Sequence, residues 1–202
     1  MTRKRRVEAE NIVDAALAIV REGGYSALSV RNVASYMKVS TMPVYSSFEN
    51  MEMLEQALAE RVKTIHLDYQ GRNYTENPLL DMSVGSILFA QEEPNLFRFL
   101  YFDWPGFLSD EAKEGILRRN DSAPFSEAAH EAGKGASISE HFSEENADML
   151  GPVALKGWIF THGLATMAYS DLLPRMSVEE IAKLVNEAGQ AFYLYHTKVK
   201  AE

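Results

Sequence analysis

Cysteine is absent from the 202-residue chain, so disulfides and thiolate metal sites are excluded outright. Long apolar runs are absent as well. No stretch approaches the roughly 20 residues that span a bilayer, and the N-terminus passes from basic residues into an amphipathic helix without the apolar segment of a signal peptide. The expectation is a cytoplasmic protein with no membrane partner. No clear strand is seen and no internal repeat occurs, which points to an all-α fold. Catalytic signatures are missing too, since no glycine-rich phosphate loop, nucleophile elbow or zinc-protease helix is found. Glu127-Ala128-Ala129-His130 has the Glu-x-x-His spacing of a helical di-metal site, but that chemistry needs a second such motif and two further inward glutamates. No second copy exists, and five scattered histidines do not make a metal centre. The chain is therefore expected not to be an enzyme and to carry neither metal nor cofactor.

Positive charge is scarce and unevenly placed. The net charge of −9, taken over the whole chain, argues against a nucleic-acid partner. Residues 1–48 nevertheless hold seven basic residues (Arg3, Lys4, Arg5, Arg6, Arg21, Arg31, Lys38) against four acidic ones (Glu8, Glu10, Asp14, Glu22), a net +3. A basic head on an acidic body suits a protein that touches DNA at one end only, although chance clustering would look the same.

Within that head, the run from Ser29 to Phe48 reads as two short helices joined by a tight turn. Val30, Val33, Ala34 and Met37 fall at i, i+3, i+4 and i+7 behind Ser29 as an N-cap. Lys38-Val39 leaves only a turn before Ser40, a second capping residue, and Pro43 lies in the first turn of the next helix, where a missing N–H is harmless. A helix-turn-helix sets its second helix in the major groove. Thr41 would bond a base or phosphate there, Met42 and Val44 would offer apolar surface to a thymine methyl, and Tyr45 and Ser47 suit phosphate oxygens. Ser29, Arg31, Lys38 and Ser40 complete the candidate contact set. Arg3, Lys4, Arg5 and Arg6 form either a flexible phosphate-binding arm or a solvated, frayed terminus.

The flanks narrow the reading. Ile12, Ala15, Ala16, Ile19 and Val20 form an apolar stripe that Gly23-Gly24 can terminate before Tyr25. Beyond Phe48, Asn50 can cap a helix with Leu54, Ala57, Leu58, Val62 and Ile65 on one face. In the order and spacing of these residues, with Val39-Ser40, Val44-Tyr45, Phe48 and Glu52, the first quarter of the chain resembles the TetR family of bacterial repressors. It departs from the family pattern at Lys38, where a turn glycine is usual, at Ser47 in place of a common His, and at Met51 in place of a basic residue. A left-handed Lys38 would cost about 1–2 kcal/mol.

Downstream, Asn77-Pro78 opens a helix running to about Glu93-Pro94. An aromatic-rich segment spans Asn95 to about Tyr101, a short charged helix runs from Ser109 to about Arg119, and residues 121–146 read as a short helix among loops. Two strong helices close the chain, about Pro152 to Leu172 and Val178 to about Lys198, the latter behind the capping box Ser177…Glu180. Trp158, His162 and Gly163 resemble the C-terminal WHG domain of a subset of TetR-like regulators, with Ala90, Pro94 and Phe97 like that subset's middle helices. Phe89, Phe97, Tyr101, Trp104, Trp158, His162 and Met167 are candidate walls of a cavity for an apolar or aromatic effector, the alternative being ordinary core packing.

These readings define a DNA-binding head at 1–50 and a helical effector-binding and dimerisation domain at 51–202, joined through the helix at 51–69. The expected function is a homodimeric transcription regulator that binds a double-stranded DNA operator as a repressor and releases it when a small molecule binds. The alternative is a ligand-binding or scaffold dimer whose DNA head no longer works.

Overall fold

The computed structural model describes residues 8–104 and 147–199. Arg3 to Arg6, the Glu127–His130 motif and the helix expected at 109–119 lie outside them. Among the described residues every regular element is helical. The chain forms two compact units, the first comprising Met1–Ile65 and Glu93–Phe107, the second His66–Glu92 and Leu108–Glu202.

In the first unit, α1 (Ala9–Gly23) buries Ile12, Val13, Ala15, Ala16, Leu17 and Val20 on one face. It ends at Gly24, whose amide bonds the Val20 carbonyl and whose φ of 74° is a backbone state that glycine adopts freely. After a 3-10 turn (Tyr25–Ala27), Ser29 accepts the Asn32 amide at 3.1 Å and starts α2 (Val30–Tyr36). The expected cap thus forms, and Val33 and Ala34 are buried. Helix α3 (Met42–Ser47) follows, and then α4 (Met51–Gln70), whose first turn is capped as expected by Asn50 accepting the Met53 amide at 2.9 Å. Leu54, Leu58 and Val62, spaced at i, i+4 and i+8, are fully buried.

The same unit takes in a segment far away in sequence. Helix α6 (Pro94–Arg98) is held to the end of α1 by Asn95 Nδ2 donating to the Arg21 carbonyl at 2.9 Å and by Arg21 Nε pairing with Glu93 at 2.8 Å. A π-helical turn (Phe99–Asp103) continues it and closes with the Trp104 amide on the Phe99 carbonyl. Phe99 meets the Tyr25 ring at 5.6 Å, and the Tyr25 hydroxyl donates to Glu55 at 2.9 Å. Burial and the Glu55 carboxylate raise the Tyr25 pKa to about 12, so it remains a donor at every physiological pH.

The second unit is built from the end of α4, α5 (Pro78–Glu92), α7 (Ala147–Tyr169) and α8 (Val178–Val199). Asn77 caps α5 by accepting the Leu79 amide at 3.0 Å, and buried Asp81 is satisfied by the amide and hydroxyl of Thr75. The capping box of α8 forms in both directions, Ser177 N to Glu180 Oε2 at 2.8 Å and Glu180 N to Ser177 Oγ at 3.3 Å. Gln91 then clamps the entry to α8, its amide group both donating to and accepting from the Met176 backbone. Helix α7 begins at Ala147 and ends at Tyr169, earlier at both ends than its apolar pattern indicates.

Gly85 marks the tightest approach in this unit. A Cβ there would sit 2.2 Å from the Tyr69 carbonyl oxygen, a backbone atom that cannot swing away. Gly85→Ala should therefore lower stability by about 1–3 kcal/mol, the cost of overpacking a fixed contact. The shift of the urea unfolding midpoint measures it, and an unchanged midpoint would refute the contact.

Candidate functional site

The turn between α2 and α3 closes with two bonds, Lys38 N to the Ser35 carbonyl and Val39 N to the Ala34 carbonyl, the pairing of a Schellman motif. This pairing requires a left-handed residue at Lys38, and its φ is 56°. A lysine is therefore held in a conformation that glycine adopts freely.

Helix α3 starts one residue later than its capping pattern indicates. The N-cap is Thr41, not Ser40, and its side chain makes no capping bond. Thr41 already has helical torsions (φ −71°, ψ −17°), so its carbonyl accepts the Val44 and Tyr45 amides instead. Val44 also corrects the expected contact set: it is 1% exposed and cannot meet a base. It shares its face with Phe48 at i+4, and both side chains point into the head's core.

The remaining helix-turn-helix candidates are available to solvent. Arg31, Lys38, Ser40, Thr41, Met42 and Tyr45 are exposed, and Ser47 is half-buried. Ser29 is half-buried and committed to its cap. Tyr36, at the end of α2, is 54% exposed and was not singled out by the sequence pattern, which counts only the buried face. Among the described residues, the head's unpaired positive charge lies on α2 and the turn after it. Arg61 pairs with Glu10 and Asp14 at 3.2 and 3.0 Å, and Arg21 with Glu93, whereas Arg31 and Lys38 have no carboxylate partner among the described residues. Among the described residues, the head thus presents one short helix with hydroxyl and apolar side chains along it, and cations without carboxylate partners on α2 and in the turn before it.

Residues 12–58 match the model of the family described as bacterial regulatory proteins, tetR family. That match covers the N-terminal head and the start of α4. No curated protein matches it. Among solved structures it is similar to a TetR-like transcriptional regulator from Rhodococcus sp. RHA1, at 16% identity and a TM-score of 0.56 over 93% of this chain and 96% of that one. A regulator from Aquifex aeolicus VF5 gives 16% identity and a TM-score of 0.54 over 91% and 98%. A TetR variant from Acinetobacter baumannii AYE, solved with minocycline, gives 14% and 0.52 over 97% and 99%. At these identities the structures speak for the fold. The all-helical fold is the one shared by these solved TetR-like regulators.

The effector candidates divide between the two units. Phe97, Tyr101 and Trp104 belong to the first. There Phe97 lies 4.8 Å from the Tyr101 ring, burial raises the Tyr101 pKa, and Lys63 Nζ sits 4.9 Å over Trp104. Phe89, Trp158, His162 and Met167 belong to the second. Phe89 is fully buried, Met167 is exposed, and Trp158 stacks on His162 at 5.1 Å and 10°.

His66, which the pattern does not reveal as a site, adds to that second group. It continues the buried stripe of Leu54, Leu58 and Val62 at the next i+4 step and lies 4.9 Å from the Phe89 ring. Ser86 donates its one proton to the Met82 carbonyl and accepts from Gln70. Its contact with His66 Nε2 at 3.2 Å therefore makes that nitrogen the protonated one. Burial first, then the neighbouring His162, lowers the His66 pKa to about 4, and burial lowers that of His162.

Two predictions follow from these sites. Lys38→Gly should raise stability by up to about 1 kcal/mol by removing the left-handed penalty, and where Lys38 meets a phosphate it should also reduce the salt slope of DNA binding by about one. Urea unfolding and a salt titration read the two effects separately. For His66, the folded pKa of about 4 lies below the ordinary 6.5, so between these values the unfolded chain binds more protons. The contribution is fully present above pH 6.5 and is lost progressively as pH falls toward 4, by about 3 kcal/mol in all. Urea midpoints measured across this window should fall less steeply for His66→Gln than for the wild type; parallel profiles would exclude His66 as the source.

Proposed function

We propose that the chain is a homodimeric repressor that leaves its operator when a small apolar or aromatic molecule binds the second unit. The observation that carries the DNA half is the exposed row Thr41, Met42 and Tyr45 on a helix whose orientation is fixed by buried Val44, with Arg31 and Lys38 unneutralised alongside. In this reading Thr41 and Met42 meet base edges, Tyr45, Ser47, Ser40, Lys38 and Arg31 meet phosphates, Ser29 sets the entry of α2, and Arg3, Lys4, Arg5 and Arg6 act as an arm.

Dimerisation rests on the last two helices. Ile159 and Met167 on α7 are exposed, as are Leu184, Leu194 and Tyr195 on α8. A Cβ added at Gly163, between Ile159 and Met167 at i+4 steps, would meet nothing within 4 Å, leaving room for a second helix. Two such helices from each subunit make a two-fold four-helix interface. Trp158, His162 and Gly163 form the signature of a WHG-type regulatory domain in this reading.

The effector half is supported by the Acinetobacter relative, which was solved with minocycline, and by the aromatic and histidine side chains of the second unit. The effector shifts the dimer toward a state in which the two α3 helices no longer match major grooves about 34–36 Å apart. A coupling of about 1–3 kcal/mol is sufficient. The chain crosses from one unit to the other at 65–66, 92–93 and 107–108, so α4 and the Glu92–Pro94 junction are the covalent routes for that coupling.

The competing reading, a scaffold dimer with an inactive head, draws on the half-buried Ser47 and on Met51 in place of a basic residue. A gel-shift salt titration against DNA upstream of the protein's own gene separates the two: steep salt dependence and sequence preference support the regulator, and binding indifferent to sequence supports the scaffold. On that operator, Tyr45→Phe should weaken binding to all sequences alike, roughly five-fold for one lost hydrogen bond, while Thr41→Ala should change the ranking among sequences. If operator binding is unchanged in both variants, α3 is not the reading helix.

A further inference from the structure

The reading face of this chain is chemically unusual in what it cannot do. From Met42 to Ser47 the helix carries no Arg, Lys, Asn, Gln, Asp or Glu, so none of the bidentate pairings that identify guanine or adenine is available from it. Its other groups are largely spoken for. Val44 is in the core, and the Ser46 hydroxyl donates to the Met42 carbonyl at 2.9 Å. Tyr45 presents a terminal hydroxyl suited to a phosphate. What remains at the leading edge is Met42, 71% exposed, with Thr41 before it. An unbranched thioether side chain left in water gains by burial against apolar surface and adapts its rotamers to what it meets. Arg31 and Lys38, uncompensated by carboxylates among the described residues, give the surroundings the charge that matches a duplex. In the major groove the apolar feature is the methyl group on C5 of a pyrimidine.

We infer that Met42 is a specificity residue that reads pyrimidine C5-methyl groups, so that the half-site is selected by thymine methyls and 5-methylcytosine replaces thymine at the position it touches. This inference rests on the DNA-binding reading above. It gives the protein a property that hydrogen-bond readers of adenine lack: methylation of cytosine in an otherwise poor site creates a contact. The contact has the weight of one buried methyl group, about four-fold in affinity per half-site.

The test uses the full-length protein. Sequences are enriched from a random duplex pool, and fluorescence anisotropy then compares the enriched site with versions carrying single thymine-to-deoxyuridine changes, which remove only the methyl group. At the position most sensitive to uracil, the T·A pair is also replaced by C·G and by 5-methylcytosine·G. The wild type should lose about four-fold per half-site with uracil and should bind the methylated C·G site more tightly than the unmethylated one by a similar factor. Met42→Ala, at an exposed position that leaves the core intact, should be indifferent to both changes, and Met42→Leu should retain the sensitivity. Enrichment of a site that is indifferent to uracil, or sensitivity that survives in Met42→Ala, overturns the inference and leaves the regulator reading standing. Failure to enrich any sequence, with no binding even at low salt, overturns both.

Discussion

A helix of six residues has too few backbone bonds to persist by itself, so α3 exists because Val44 and Phe48 are held in the apolar interior of the head. That single constraint propagates outward. With Val44 inward, the rotation of the helix is settled, and Thr41, Met42 and Tyr45 must face away from the core. With α3 anchored beside α1 and α2, the connecting residues have no freedom to choose their backbone state, and Lys38 is forced into the left-handed region. The exposed side of α3 and the strained turn are two results of burying one valine.

The second unit solves a different problem, that of holding polar groups among aromatic ones. His66, Asp81 and Thr161 are buried there, and each has a partner: Ser86 for His66, Thr75 for Asp81 and Ser83 for Thr161. Ser86 carries the most, receiving Gln70 and His66 while donating to Met82. Because unpaired polar groups in such surroundings are costly, the hydrogen bonds across the α4 and α5 segments specify their alignment more narrowly than apolar packing would. Gly85 against the Tyr69 carbonyl sets the separation.

Much of this was legible in the residues. Apolar spacing marked α1, α2 and α4, and the small polar caps Ser29, Asn50, Asn77 and Ser177 each sit where a helix begins, because capping is a local bond between residues two or three apart. What depends on distant neighbours was not legible. Val44 looks like a solvent-facing recognition residue until the core around it is known, and Ser40 looks like a cap until Thr41 is seen to have helical torsions. The role of His66 was hidden inside a stripe otherwise made of Leu and Val. The π-helical turn at Phe99–Asp103 has no compositional marker at all, and nothing near Asn95 says that its partner is the carbonyl of Arg21.

That last pair has a consequence for the order of events during synthesis. Asn95 and Arg21 are separated by 74 positions and Glu93 and Arg21 by 72. The helix-turn-helix is synthesised before α5, yet the unit that contains it lacks α6 and the aromatic turn until translation has passed residue 103, after the α5 segment assigned to the other unit has already appeared. The nascent head therefore waits with the end of α1 and the Tyr25 ring uncovered, and it is completed only by chain made after part of the body. Head and body are not consecutive cassettes in this polypeptide, and a graft that transplants only the first 65 residues onto another body leaves that uncovered surface behind.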